Sequence, residues 1–383
     1  GKSFGLRRLV LAEGKGHFVP SPEAEDDYRR YLREKGYGPE AWQTWELEQY
    51  RRQGWVTSPL PEEDYIDTFV ATRAVEYLAR VQEPFFCWVS FSTPHTPLDP
   101  PRPYDTFYDP AALPLPHRRE GELEQKPQRW VDQLARTVHA LPPTSTDPSL
   151  PGGVENAYRR FPLDKTQRMR AAYYGEVSHA DAQVGRLLEV LAERGLDENT
   201  LVIFTSDHGD YCGDHWAFYK YGGLYDSIIR VPLVLRWPAG LGDLSLRSAP
   251  ARSQAAANRG TSSPGAGKGL AVEELVSIMD LAPTLLEAAG VEGPPMDGRS
   301  LLPLVAGQVD DWRRELVVEG GPAQALITPE WKYIAWRGGT EELYDRLADP
   351  HDLYNLGSDP ALEQRRHALR ERLDACLRDT GGG

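Results

Sequence analysis

The stretch LVIFTSDHGDYCGDHWAFYK, Leu201 to Lys220, decides how the rest of the chain is read. It opens on LVIF, a short continuous apolar run of the kind that is buried on both faces of a sheet, and polar chemistry follows at once. Asp207, His208, Asp210, Asp214 and His215, with Cys212 between them and Lys220 at the end, crowd the positions just past the run. A solvated turn needs one or two Asp or Gly, so a second Asp-His pair so soon after the first points to a charged occupant. Asp207 and His208 offer one hard oxygen ligand and one borderline nitrogen ligand, a pair that suits a divalent cation completed by carboxylates from elsewhere. The same two residues would also suit a helix-capping Asp beside a hydrogen-bonded His.

Working outward, QRMRAAYYGEVSHADAQVGRLLEVLAERG places Tyr173, Val177, Ala180, Val184, Leu187 and Leu191 on one face of a long helix. Gly195 closes that helix, DENT turns the chain into LVIFTS, and VPLVLRWP at 231–238 reads as the next strand. Earlier, amphipathic helices are expected over 22–36 and 64–82, the second feeding another continuous apolar strand, EPFFCWVSF. Helices alternating with such strands predict an α/β fold, a mostly parallel sheet flanked by helices. Ligands of such sheets bind outside the carboxyl ends of the strands, where STPHTP and SDHGD both fall. His95, with Pro94 and Pro97 pinning its backbone, suits a general acid. Lys220, read as a partly buried ammonium, suits a tetrahedral oxyanion. Taken singly, His95 could be a satisfied loop histidine and Lys220 a snorkelling surface lysine. Asp214 and His215 read as braces of the loop and Cys212 as packing.

The chain has 383 residues, 40% hydrophobic and 26% charged, enough for one large α/β domain over 1–310 and a smaller one over 311–383. The smaller one reads as an antiparallel subdomain, from ELVVEGG through EELYDRLADP, with a final amphipathic helix carrying Leu369, Leu373 and Cys376. Between VPLVLRWP and VEELVSIMDLAPTLLEAAG, residues 239–270 are rich in Ala, Ser and Gly and are expected to form a flexible surface insertion. Lys and Arg number 43 against 57 Asp and Glu, a formal charge of -14 that repels nucleic acid and anionic membranes over most of the exterior. An anionic substrate must therefore be held by a local pocket. Cys87, Cys212 and Cys376 show no CxxC spacing and support neither a disulfide framework nor a structural zinc site. No apolar run reaches the length of a membrane span, and GKSFGLRRLVLAEGKGHF lacks a signal-peptide core. The compartment stays open, because a missing N-terminus would remove any export signal. Oligomeric state is likewise open.

Four blocks of the chain resemble a sulfatase of the alkaline phosphatase superfamily. They are PFFCWVSFSTPHTPLDPP (84–101), GRLLEVLAERGLDENTLVIFTSDHGDYCGDHWAFYKYGGLYDSIIRVPLVLRWP (185–238), VSIMDLAPTLLEAAG with DGRSLLPL (276–304), and WKYI with EELYDRLADPHDLYNL (331–356). The resemblance implies that Asp207 and His208 are metal ligands, with His where many arylsulfatases carry Asn. It implies that Lys220 grips the sulfate or phosphonate oxygens and that His95 protonates the leaving-group oxygen. The implied cofactor is a divalent metal ion, calcium by family habit, with manganese or zinc equally suited to an Asp-His pair. The implied substrate is a small-molecule or sugar sulfate ester. Phosphonate monoester or phosphate diester hydrolysis shares every one of these residues.

The match departs from the family at its start. Sulfatases open with a strand ending in an Asp-Asp metal pair, followed by C-x-P-x-R or S-x-P-x-R, whose Cys or Ser becomes the formylglycine nucleophile. Neither precedes these residues, so the chain is expected to begin inside the domain and, taken alone, to hydrolyse sulfate esters poorly. A non-catalytic sulfatase-like remnant is the alternative from another class. SAPAR, Ser248 to Arg252, fits the short signature but lies in the low-complexity insertion and is read as a chance match. GKGHF offers Lys15 and His17 for the pair that supports the nucleophile, or is a plain surface loop.

Overall fold

The computed structural model describes residues 9–12, 26–82, 84–132, 134, 162–220, 222–238, 269–309 and 311–380. Lys15, His17, the SAPAR string and the insertion from 239 to 268 lie outside the described residues. The chain forms two compact units, one comprising 1–124, 128–195 and 210–221, the other 125–127, 196–209 and 222–383. The boundary expected near residue 311 falls inside the second unit.

The first unit is helical. Helix α1 (Asp27–Glu34) starts where the Asp26 carboxylate accepts the Arg29 N–H at 2.7 Å, satisfying one of the unpaired donors of its first turn. Its Tyr28 and Leu32 pack with Trp42, Leu60, Tyr65, Ile66 and Phe69 into an apolar core. Helix α2 (Glu48–Gln53) and helix α3 (Ile66–Leu78) follow, and helix α4 (Leu163–Glu193) runs for 31 residues. The predicted apolar stripe of α4 is displaced by one position. The buried residues include Met169, Ala172, Glu176, His179, Gln183 and Val190; of the predicted stripe Leu191 is buried, while Val177 is 44% exposed. Polar residues win this face because their partners come from other elements. Glu176 accepts the Asp99 N–H at 2.8 Å and the Tyr65 hydroxyl at 3.2 Å, and Thr68 Oγ1 lies 3.0 Å from His179 Nε2. A buried polar group that is hydrogen-bonded costs little, so periodicity of apolar residues alone misplaced the stripe. At Gly175 the same helix meets the Tyr104 carbonyl so closely that a Cβ would lie 2.3 Å from it.

Residues 84–91, expected as a buried strand, carry no ladder among the described residues. Phe86 and Trp88 are exposed there, Trp88 at 76%. An apolar run becomes a strand only when a partner accepts its hydrogen bonds, and none of the described strands does so.

In the second unit, strand β1 (Val202–Thr205) ends just before Asp207, as expected. Its partner β2 (Leu233–Arg236) is antiparallel, with Val202 opposite Arg236 and Thr205 opposite Leu233. The mostly parallel sheet expected of the fold is thus not carried by this pair. A parallel partner needs a crossover that carries the chain back along the sheet, usually a covering helix. Between β1 and β2 the described residues of this unit hold one helical turn, α5 (Asp226–Ile229). Helices α6 (Leu281–Ala288) and α7 (Leu302–Val305) come next. The expected antiparallel subdomain is present as a four-stranded meander, β3 (Leu316–Gly320), β4 (Ala323–Ile327), β5 (Trp331–Trp336) and β6 (Glu341–Asp345). Helix α8 (Glu363–Thr380) lays Leu369 and Leu373 against Leu326, Tyr333 and Leu343 of that sheet.

Asp280 anchors the chain between α6 and β3. Fully buried, it accepts the backbone N–H groups of Ser277 and Arg299, each at 2.8 Å, and both Nη atoms of Arg313 at 2.6 and 2.7 Å. Asp280→Asn keeps the shape but loses the charge that Arg313 needs, and it is expected to cost roughly 2 kcal/mol. A fall in urea midpoint without a change in slope is the check.

Candidate functional site

The site grows from the end of β1. There the Asp207 carboxylate accepts its neighbour's N–H, His208 N to Oδ1 at 2.9 Å, and the Ser206 hydroxyl donates to the His208 carbonyl at 2.8 Å. His208 Nδ1 lies 2.7 Å from the Gly209 carbonyl, which fixes Nδ1 as the protonated nitrogen. The other nitrogen, Nε2, therefore presents its lone pair, and it stands 3.5 Å from Asp207 Oδ2. Two ligands of one cation at ordinary bond lengths stand about 3 Å apart, so the pair forms a usable corner. A histidine that donates its remote N–H to a carbonyl is the usual preparation for metal ligation. Asp207 is 83% exposed on its side chain and His208 33%, open enough to receive an ion. Among the described residues no group of three His, Cys, Asp or Glu converges on one point.

The turn after the corner is pinned by backbone. Gly209 N–H donates to the Ile228 carbonyl of α5 at 2.7 Å, and a Cβ at Gly209 would lie 2.0 Å from the Ser227 carbonyl. Only glycine fits this approach.

In the first unit, residues 210–220 fold into a tight loop. Asp210 Oδ1 accepts from Cys212 N at 2.7 Å and from Tyr219 N at 3.0 Å, and Gly213 N–H meets the Ala217 carbonyl at 2.7 Å. Cys212, His215, Trp216 and Tyr219 all take left-handed φ, from 46° to 66°, a strained choice for residues with a Cβ. Several outside contacts hold the strain. Buried His215 pairs through Nδ1 with buried Glu122 at 2.5 Å, and Asp214 Oδ1 accepts the His117 N–H at 2.8 Å. Arg170 Nη1 donates to the Cys212 carbonyl at 2.8 Å, and Trp216 Nε1 donates to the Arg119 carbonyl at 3.0 Å. Asp214 and His215 thus brace the loop, as their sequence positions suggested. Burial pushes the Cys212 thiol well up, with Asp210 adding to the effect, so it is an inert packing group. Lys220 closes the loop and is exposed, not partly buried as expected.

His95 belongs to the same unit as Lys220. Its loop is tied to α3, where Asp67 accepts the Ser92 N–H at 2.9 Å and the Thr93 hydroxyl. The ring is exposed, and Nδ1 donates to the Thr96 carbonyl at 2.8 Å, so Nε2 is the nitrogen turned to a partner and carries a transferable proton when the ring is the imidazolium. The structure thus brings Asp207 together with His208 in one unit and sets His95 and Lys220 on braced loops of the other. Sequence reasoning passed over Glu122 and Asp67, whose roles depend on partners far away in the chain. Short motifs carry no signal for such pairs.

Comparison with known proteins identifies the family and the fold. The sulfatase family model matches residues 12–291, and a model described as N-sulphoglucosamine sulphohydrolase, C-terminal, matches 263–379. An arylsulfatase of Clostridium perfringens is 28% identical over 96% of the chain and 71% of its own length. The multifunctional alkaline phosphatase superfamily protein PehA of Trinickia caryophylli is 31% identical over 79% of the chain, which spans 58% of that protein. The crystal structure of the phosphonate monoester hydrolase of Agrobacterium radiobacter superposes with a TM-score of 0.71 and 25% identity, over 94% of this chain and 70% of that one. The shared architecture is mixed α/β, with the antiparallel sheet at its C-terminal end.

Proposed function

The chain belongs to the sulfatase family of the alkaline phosphatase superfamily, and from that premise we propose that it takes part in the metal-dependent hydrolysis of sulfate esters. The observation that carries the reading is the corner at the end of β1, where a tautomer-fixed His208 Nε2 faces Asp207 Oδ2. These two atoms would hold a divalent cation, calcium by family resemblance, with manganese or zinc compatible with the same donors. When bound, the cation supplies Lewis acidity toward a sulfate oxygen. Lys220 neutralises charge that grows on the transferred group, and the braced loop before it limits how far its backbone can stray. His95 delivers its Nε2 proton to the departing oxygen. The nucleophile is assigned to neither Cys87 nor Cys212, since burial raises both thiols. The substrate is a small-molecule or sugar sulfate ester, held locally against the chain's net charge of -14.

Phosphonate monoester hydrolysis is a second reading, favoured by the likeness to the Agrobacterium enzyme and to PehA. One assay on the natural full-length protein separates the two. Turnover of an aryl sulfate and of an aryl phosphonate monoester is measured before and after chelation, then with calcium, manganese or zinc restored. The proposal expects a higher kcat/KM on the sulfate ester, loss of turnover of at least tenfold on chelation, and recovery with one of the metals. Preference for the phosphonate would install the second reading, and full activity in metal-free protein would remove the cation from both.

A further inference from the structure

A second feature of the C-terminal unit reaches the same corner from behind. Lys332 on β5 is fully buried, an expensive place for an ammonium unless charges and hydrogen bonds surround it. It donates to Asp226 Oδ1 and, at 2.5 Å, to Asp352 Oδ2. The same Asp352 Oδ2 accepts the backbone N–H of Asp226 at 2.9 Å, so Asp226 is gripped by both its side chain and its main chain. Around this pair, Lys126 donates to the Asp352 carbonyl at 2.8 Å and to the Tyr344 hydroxyl at 3.0 Å. Tyr225 and Tyr344 both donate to Glu342 Oε1, at 2.9 and 2.6 Å. The network holds the first residue of α5 against β5 and β6.

From α5 the connection to the site is two hydrogen bonds long. The Ile228 carbonyl receives the Gly209 N–H at 2.7 Å, and the Gly209 carbonyl faces His208 Nδ1 at 2.7 Å. Because Gly209 is already in contact with the Ser227 carbonyl, a shift of α5 pushes or releases the turn directly. We infer that Asp226 is a positioning residue for the Asp207–His208 pair: through it, buried Lys332 of the C-terminal sheet fixes α5, and α5 fixes the turn that orients His208. The inference rests on the reading of that pair as cation ligands and adds a residue that touches neither cation nor substrate.

The test uses the full chain with Asp226→Ala and Asp226→Asn. Alanine removes the acceptor for Lys332 but leaves the Lys332–Asp352 pair neutral, and asparagine returns an oxygen at the same place. Two readouts are taken, amide hydrogen exchange at Gly209 and affinity for Mn²⁺ followed by water proton relaxation. Asp226→Ala is expected to speed exchange at Gly209 at least tenfold while the β3–β6 amides keep their protection, and to weaken Mn²⁺ binding about 10–100-fold, the range for residues that orient a ligand. Asp226→Asn is expected to recover most of both. Unchanged exchange at Gly209, or a loss spread evenly through β3–β6, would overturn the inference. The cation reading is judged separately: Mn²⁺ binding by the wild type that survives Asp207→Ala would refute that reading, while the exchange data still decide whether Asp226 holds the turn.

Discussion

Replacing His95 by alanine is expected to slow hydrolysis of an alkyl sulfate by 10²–10⁴-fold in the natural full-length protein, the usual worth of a positioned general acid. The loss should shrink steeply for aryl sulfates whose leaving phenol is acidic, because such a group departs as an anion without a proton. The geometry behind this is specific. Nδ1 of His95 donates to the Thr96 carbonyl, so the imidazolium can give up only its Nε2 proton to a leaving group, and Asp67 fixes the preceding Ser92 and Thr93 through α3. The measurement is kcat/KM over a series of sulfate esters with leaving groups of graded acidity. A steeper dependence on leaving-group acidity in His95→Ala supports the assignment. A uniform loss across the series would make His95 a binding residue and would remove the acid from the proposed mechanism.

The largest effect on stability is expected from Lys332→Met. Methionine fills much of the volume, but it leaves Asp226 and Asp352 facing each other without a cation, Asp352 being only 1% exposed. Breaking a buried ion pair from one side costs about 3–5 kcal/mol, here on the order of 10 °C in Tm. Adding Asp352→Asn to Lys332→Met should restore part of the loss, since the double variant no longer buries the uncompensated charge. The pH dependence has a definite sign. Burial pushes the Asp226 carboxyl up, but the charge and hydrogen bond of Lys332 outweigh it and hold the group below the usual carboxylate range. A folded pKa below the unfolded one means stability that is present above about pH 4 and lost as the pH falls further. Lys332→Met should flatten that acid limb as well as lower the plateau. Thermal or urea unfolding between pH 3 and 7 measures both. A variant as stable as the wild type at neutral pH would show that the carboxylates find other partners.

Much of the architecture follows from local pattern. The alternation in ELVVEGG, WKYIAW and EELYD was enough to place an antiparallel subdomain, because hairpin strands near in sequence pair with their neighbours. The strand-end position of Asp207 and His208 was equally legible, since a short continuous apolar run followed at once by clustered polar residues marks the end of a strand. The motifs around His95 and Lys220 pointed to the family, and the family model confirms that membership. What the chain's own letters left undecided depends on contacts between distant residues. The apolar run VPLVLRWP fits a strand of either direction, and only its actual register with β1 made it antiparallel. The buried face of α4 is set by Tyr65, Thr68 and Asp99, which satisfy Glu176 and His179, and no helical periodicity can announce hydrogen bonds offered from another element. Lys332 reads in sequence as an ordinary solvent-seeking lysine in a strand. Its burial is possible only because the fold brings Asp226 and Asp352 to it, since a charge leaves water only where opposite charges and acceptors await it.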